Sequence, residues 1–301
     1  MTDILNIGDE PIFDDRIVKI ETHSYNPYAN TAFGYSDEIR IPIQQQDLYT
    51  LPYESFLYID GKLKIKEPAE GSNVVLGNNC IAFMFDEIRY ELNGVEIDRN
   101  RNVGITSTLK NYVTMSSDRS VIARNAGWDP RNPPNGYFNF CVPLNMLLGF
   151  CKDYRCVVIN ARHELILIRS RNDNNCLIGD PARQPEIELL KVQWQMPHVS
   201  LSEKNKLSML RALESRKYLS MAFRSWDLYE FPLLQLTTKH QNRYSARETA
   251  ICHLRFADWS KNNMSENASR FDHCKLNNVK LYLNSECYPY KDINLDFDRN
   301  K

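Results

Sequence analysis

The sequence predicts an all-β protein made of antiparallel sandwiches with short helical insertions. Three observations carry that prediction. Apolar residues recur at every second position in segment after segment, an Asn-Gly pair joins two such segments, and a turn-rich stretch at 171–185 divides two β-rich blocks. Alternation is the period of a half-buried strand. A tight antiparallel connection needs residues that tolerate positive φ.

The elements follow in order. Arg16–Thr22 (RIVKIET) and Glu38–Ile43 (EIRIPI) alternate cleanly. Pro42 lacks a ladder donor, which suits an edge or a strand end. Ser55–Lys66 (SFLYIDGKLKIK) reads as a strand in which Asp60-Gly61 is either a turn or a bulge. Ile88–Asp98 (IRYELNGVEID) is the clearest hairpin: Ile88, Tyr90 and Leu92 alternate with charges before Asn93-Gly94, and Val95 and Ile97 do so after it. A helical island comes next, with Ile105, Leu109, Tyr112 and Val113 at helical spacing and Thr106 and Ser107 as candidate caps. A second short helix is expected over Ser117–Asn125, stopped by Gly127. Trp128–Gly136 is a loop, and strands resume at Tyr137–Val142 and Cys156–Ser170.

Beyond the turn-rich stretch, Glu186–Met196 reads as a strand. Ser202–Ser215 reads as the strongest helix, with Leu207, Leu210 and Leu213 on one stripe. Tyr218–Phe231 is expected as a long aromatic strand, and Val279–Leu283 alternates again. The domains are therefore drawn as 13–170, a first sandwich; 171–185, a linker; and 186–301, a second sandwich.

Bulk properties narrow the function. The chain has 301 residues, 43% of them hydrophobic, and a formal net charge of −1 with no long run of one sign. That is an ordinary globular balance without the basic footprint of a dedicated nucleic-acid binder. No apolar run approaches the roughly 20 residues of a membrane span. The N-terminus MTDILNIGDE is acidic and lacks the apolar core of a signal peptide. The chain is expected to be non-secreted, and its eight irregularly spaced cysteines are expected as reduced thiols.

Chemistry motifs are sparse. Gly61-Lys62 lacks the rest of a phosphate loop. Asp86-Glu87 and Glu96 with Asp98 are acid pairs, but Arg89 and Arg99 beside them favour solvated, charge-paired faces. Cys252-His253 and His273-Cys274 offer two thiols and two imidazoles, at intervals that match no common zinc spacing. His163 and Glu164 are adjacent and so face opposite sides of a strand. Arg155, Arg162, Arg169 and Arg171 bracket one strand region, where surface arginines outnumber phosphate ligands. Trp194, Trp226, Tyr218 and Tyr229 are expected to fill core and interface. No catalytic, cofactor-binding or metal-binding residue is assigned, and no enzyme activity is expected.

Four phrases carry a more specific signal: Asp37–Asp47 (DEIRIPIQQQD), Phe85–Asp98 (FDEIRYELNGVEID), Met221–Glu230 (MAFRSWDLYE) and Asn277–Ser285 (NNVKLYLNS). Together they resemble the double jelly-roll major capsid (hexon-like) proteins of adintoviruses and Maverick/Polinton-type elements, which are common as integrated copies in arthropod genomes. The resemblance runs from about Phe13 to Lys301. It implies two eight-stranded sandwiches side by side, trimers that tile an icosahedral shell, and no catalytic residue, metal, cofactor or small-molecule substrate. It places intact relatives in the virion and this copy, if outside one, in cytoplasm or nucleus.

This sequence departs from the family twice. Relatives continue beyond the position of Lys301, so the second sandwich is expected to be incomplete, as in a decayed or domesticated copy. At Asn242–Ser260 the family has a long strand where this chain reads NRYSARETAICHLRFADWS. Codons chosen for that stretch and read one nucleotide later give TATQLERPRYVIFALQTGR, which resembles the missing strand and is consistent with a local frame shift. The alternative reading is a host β-sandwich module that binds glycans or proteins.

Overall fold

A computed structural model describes residues 17–28, 32–44, 49–66, 74–131, 134–214, 219–230, 262–271, 275–283 and 286–297. The stretch 242–260, both Cys-His pairs and Tyr218 lie outside these residues.

Eight strands build one sandwich. They are β1 (Ile17–Tyr25), β2 (Glu38–Ile43), β3 (Phe56–Ile65), β4 (Phe85–Leu92), β5 (Val95–Arg101), β6 (Tyr137–Pro143), β7 (His163–Arg169) and β8 (Pro185–Leu201). One sheet runs β1-β8-β3-β6, every neighbour antiparallel. The other runs β2-β7-β4-β5, also antiparallel throughout. Consecutive strands thus pass repeatedly from one sheet to the other, and the last strand returns beside the first. That is the jelly-roll order, two Greek keys wrapped into a sandwich.

The alternation noted in the sequence fills the space between the sheets. Ile39, Ile41 and Ile43 point in from β2, Leu57, Ile59 and Leu63 from β3, and Phe138, Phe140 and Val142 from β6. Leu165 and Leu167 of β7 and Trp194 of β8 are fully buried. Pro42 stands on β2, an edge strand, as its missing donor requires.

Two strands keep their apolar side inward only by inserting a residue. In β8 the buried positions are Ile187 and Leu189, then Val192, Trp194 and Met196, so parity changes across exposed Leu190. The register shifts there, between Leu189 and Lys191. In β4 parity changes after Phe85 to Ile88, Tyr90 and Leu92, beside a shift opposite Ile168 and Arg169. A bulge does this by placing one extra residue against the partner strand.

Gly61 is neither the turn nor the bulged residue, because β3 passes straight through it. A Cβ there would stand 2.6 Å from Phe138 Cζ and 2.8 Å from the Glu188 carbonyl oxygen, so the glycine lets both neighbouring strands close in. The Asn93-Gly94 hairpin is present, with φ of 52° and 78°.

The helices differ in detail from the sequence reading. α1 (Cys80–Phe83) and α2 (Val103–Thr114) pack together, and Gly104 lies flat on the Phe83 ring, leaving no room for a Cβ. α2 starts before the expected caps, after Asn102 in the left-handed region. Val103, Ile105 and Lys110 are buried together with a small polar face of Gly104, Ser107, Thr108 and Asn111, while Tyr112 and Val113 are exposed. The Ser107 and Thr108 hydroxyls satisfy the carbonyls of Val103 and Gly104 and accept from Asn79 Nδ2 at 2.8 and 2.9 Å, so a polar face can be buried. α3 (Ser117–Ile122) ends through a 3₁₀ turn at Gly127, φ 84°. α4 (Gly149–Asp153) and α5 (Glu203–Glu214) complete the set.

Three expectations need correction. Residues 171–185 are fastened to the sandwich, not strung out as a linker. Asp173 is buried and binds the buried Arg169 guanidinium, the Tyr35 hydroxyl (3.0 Å) and the Ile187 amide (3.0 Å), and Leu177–Ile178 pairs with Val75–Leu76. The segment at 186–196, expected to open a second sandwich, is most of β8 and lies inside this one. Residues 219–230 carry no sheet ladder, although the aromatic run was expected to be a strand. Elsewhere, Leu281–Leu283 forms a hairpin with Glu286–Tyr288.

Candidate functional site

The acid pairs resolve into different environments. Glu87 accepts from Arg89 (2.7 Å) and Arg101 (3.3 Å), and Glu96 is paired with Arg89 (3.4 Å) and Arg99 (3.6 Å), a charge-paired outer face on β4 and β5. Asp98 was expected on that face and is instead buried. Its Oδ2 accepts from the Phe150 amide at 2.8 Å, and burial pushes its pKa up. The four arginines do not act as a set: Arg169 is buried against Asp173, Arg162 holds Glu164 (3.2 Å), and Arg155 lies over the Tyr53 ring (5.0 Å).

His163 and Glu164 do face opposite sides of β7. Glu164 is paired outward with Arg40 and Arg162. His163 is fully buried, with Nδ1 2.7 Å from the Tyr90 hydroxyl and Nε2 2.9 Å from Thr50 Oγ1. Burial first, and His198 second, hold its pKa down to about 4. Tyr90 and Trp194 enclose it edge-on. The neutral ring needs one donor and one acceptor around it, and two hydroxyls supply them. This is a structural histidine. At the β1–β8 margin the His23 and His198 rings stand 4.4 Å apart, and His198 Nε2 is 2.8 Å from the Tyr25 hydroxyl.

The least expected cluster lies at α4. Lys110, on α2, is 1% exposed and donates to the Asn145 carbonyl at 2.8 Å. Burial, then the neighbouring Lys152, hold its pKa down to about 7. Over it lies the Trp226 ring, whose centroid is 5.8 Å from Nζ. Trp226 belongs to a clasp, residues 221–228, that crosses the sandwich surface at α4. Arg224 grips Asp153 with its backbone amide (3.0 Å), Nε (2.8 Å) and Nη2 (2.9 Å). Phe223 sits edge-on to Phe150 at 5.2 Å, and Met221 and Leu228 pack against the core. The Arg224 carbonyl passes so close to Gly149 that a Cβ there would overlap it. Sequence reasoning missed this cluster. Its available signals were a lone lysine amid the small neutral residues of α2 and a glycine opening α4.

Nothing in these groups assembles a reacting centre. Among the described residues no three His, Cys, Asp or Glu side chains are placed to hold a metal. A cleft of about 480 Å³ is open and mixed in character, with Glu87, Arg101, Arg171 and Asn175 around Phe85 and Ile168. No helix among the described residues is long and apolar enough to cross a membrane.

Residues 74–301 match the double jelly roll-like domain family, more than half of the chain. The chain belongs to that family. Solved structures similar to this double jelly-roll protein include proteins of viruses and of a virophage. The Faustovirus major capsid protein is 8% identical, with 70% of this chain and 58% of that one covered and a TM-score of 0.50. A chain of the PBCV-1 virus capsid is 15% identical over 66% of this chain and 46% of its own, TM-score 0.43. One from the Sputnik virophage is 10% identical over 67% and 52%, TM-score 0.38. Identities this low speak to fold alone. The double jelly-roll protein spans about half the length of the capsid chains it matches. No curated protein matches it.

Proposed function

We propose that this protein is a shell-building, capsid-type subunit that works by self-association and carries no catalytic, metal or cofactor site. The observation that supports it most directly is the complete eight-strand order of residues 17–201 in a chain of the double jelly-roll family. Among the described residues Glu87, which lines the cleft, is spent on pairing with Arg89 and Arg101, and the cleft is open, which suits a wall element better than an enzyme.

On this reading the first sandwich extends through Leu201, and the second belongs to the chain after it. Trimers are the expected unit, and the virion the expected location of intact relatives. The phrases at 37–47, 85–98, 221–230 and 277–285 support an origin in an adintovirus or Maverick/Polinton-type element. Neighbouring polymerase, integrase or packaging-ATPase genes at the locus would bear that out. Aligning the locus with an intact copy tests the frame shift at 242–260, and a gapless alignment there rejects it. Function itself is tested by sedimentation and electron microscopy of the purified full chain. Threefold particles support the proposal; a strictly monomeric protein at high concentration and under all salt conditions overturns it.

A further inference from the structure

The clasp at 221–228 does two things at once: it grips α4 and it covers a buried amine. We propose that it is a proton-linked latch, closed while Lys110 is neutral beneath Trp226 and loosened when Lys110 takes up a proton.

The geometry comes first. Among the described residues Lys110 Nζ has one protein acceptor, the Asn145 carbonyl, and it lies below the indole, almost shut off from solvent. An ammonium has three donors and strong hydration, both of which are costly to give up in an enclosed site. The titratable groups facing it come from two elements, β5 and α4. Asp98 of β5 and Asp153 of α4 favour its charge, Lys152 of α4 opposes it, and the Cys151 thiol lies beside it. Lys152 is itself opposed by Arg224 of the clasp and Arg119 of α3. Closing the clasp therefore brings a third cation, Arg224, to a corner that already holds two lysines, and it removes water from one of them.

The direction of the linkage follows. In the closed state Lys110 gives up its proton at about 7, against an ordinary value of 10.5. An open clasp returns the amine to water and to its ordinary affinity. Opening therefore takes up a proton between those two values, and falling pH favours the open form by about tenfold per unit across that window, with no further gain below it. Asp153 acts far outside this range, because Arg224 holds its carboxyl below the ordinary value.

Trypsin reads the latch in the full-length chain. The Arg224–Ser225 bond can enter a protease only when Arg224 has left Asp153, and slow cleavage reports the population of the open form. Cleavage at this bond, followed by mass spectrometry from pH 7.5 to 9 and divided by the rate on a free peptide spanning 219–230, should fall about tenfold per pH unit. Lys110→Met should abolish the slope. Asp153→Asn, which takes the charge from the group that Arg224 grips, should raise cleavage at least tenfold at every pH while keeping the slope. A flat wild-type profile overturns the proposal, as does an unchanged slope in Lys110→Met. Should that variant fail to fold, wild-type cleavage rates in Asp153→Asn overturn it.

Discussion

His163 shows how a single buried side chain couples this sandwich to pH. Its ring is neutral in the fold, held down to about 4 from 6.5 by burial between Tyr90, Thr50 and Trp194. The unfolded chain takes up the proton first as pH falls, so the stability contributed by the neutral ring is complete above 6.5 and is lost progressively between 6.5 and about 4. The loss amounts to about 3 kcal/mol if the full shift is expressed. Denaturant midpoints of the wild type and His163→Leu, measured from pH 7.5 to 4.5, should converge on acidification, with the variant less stable at pH 7.5 because two hydroxyls lose their partner. Parallel profiles would refute the assignment. Gly61 offers a second residue-scale test. Gly61→Ala drives a methyl into the Phe138 ring and the Glu188 carbonyl, and overpacking of this kind costs about 1–3 kcal/mol. Gly94→Ala has no steric neighbour to meet, so its cost of about 1 kcal/mol is backbone strain alone at φ 78°. Thermal melts of the two variants should rank in that order or tie, and a stabilised Gly61→Ala would contradict the packing described.

At the scale of elements, what the sequence reveals depends on whether a segment's apolar pattern is set by its own pairing. β2, β3 and β4 were legible because each alternates along its inward face, and Asn93-Gly94 marks its own turn. β5 was legible as a strand but not in its facing, since Val95 is exposed and Asp98 and Asn100 take the inward positions expected for Val95 and Ile97. α2 was legible as a helix but only partly in its orientation. Ile105 and Leu109 pack on the core as expected, but the buried side continues over Ser107 and Thr108, satisfied by Asn79 on a neighbouring loop, and Tyr112 and Val113 point out. The stretch 171–185 has the composition of a linker because Gly, Pro and Asn suit turns. Nothing local records that Asp173 reaches Arg169 and the Ile187 amide. The strand identity of 186–196 could be read from alternation, but its sheet could not, since pairing is a long-range choice. The α4 cluster was invisible for a similar reason: Lys110, Asp153 and Arg224 meet only after the chain has folded. α5 gives the opposite case, a helix whose predicted stripe leaves Leu207 and Leu210 exposed at 52% and 39%. Leu207→Gln should therefore cost less than about 0.5 kcal/mol in the full-length chain, whereas Leu165→Ala in β7 should cost about 2–5.

For the whole molecule, the decisive fact is that β8 closes the first sandwich. A fragment ending at residue 170 lacks Ile187, Leu189, Val192, Trp194 and Met196, all buried. Losses of about 2–5 kcal/mol for each exceed the whole stability of a typical domain, about 5–15 kcal/mol. Residues 17–201 should unfold cooperatively by circular dichroism, and residues 17–170 should show no cooperative transition; a folded shorter fragment would overturn the topology. The position of β8 also bears on how the protein is made. Its partner β1 leaves the ribosome long before it and has no other sheet neighbour among the described residues, while β3 has only β6 on its other side until Pro185–Leu201 emerges. With 159 residues between Tyr25 and Pro185, synthesis at roughly 5–20 residues per second leaves the β1 edge unsatisfied for about 10–30 s. During that interval the nascent chain is a set of open β edges in search of a partner, and on a crowded polysome the nearest one is the same strand of another copy. A chain with this strand order leaves β1 open to pairing with other copies throughout that interval, the liability that any unpaired strand edge carries.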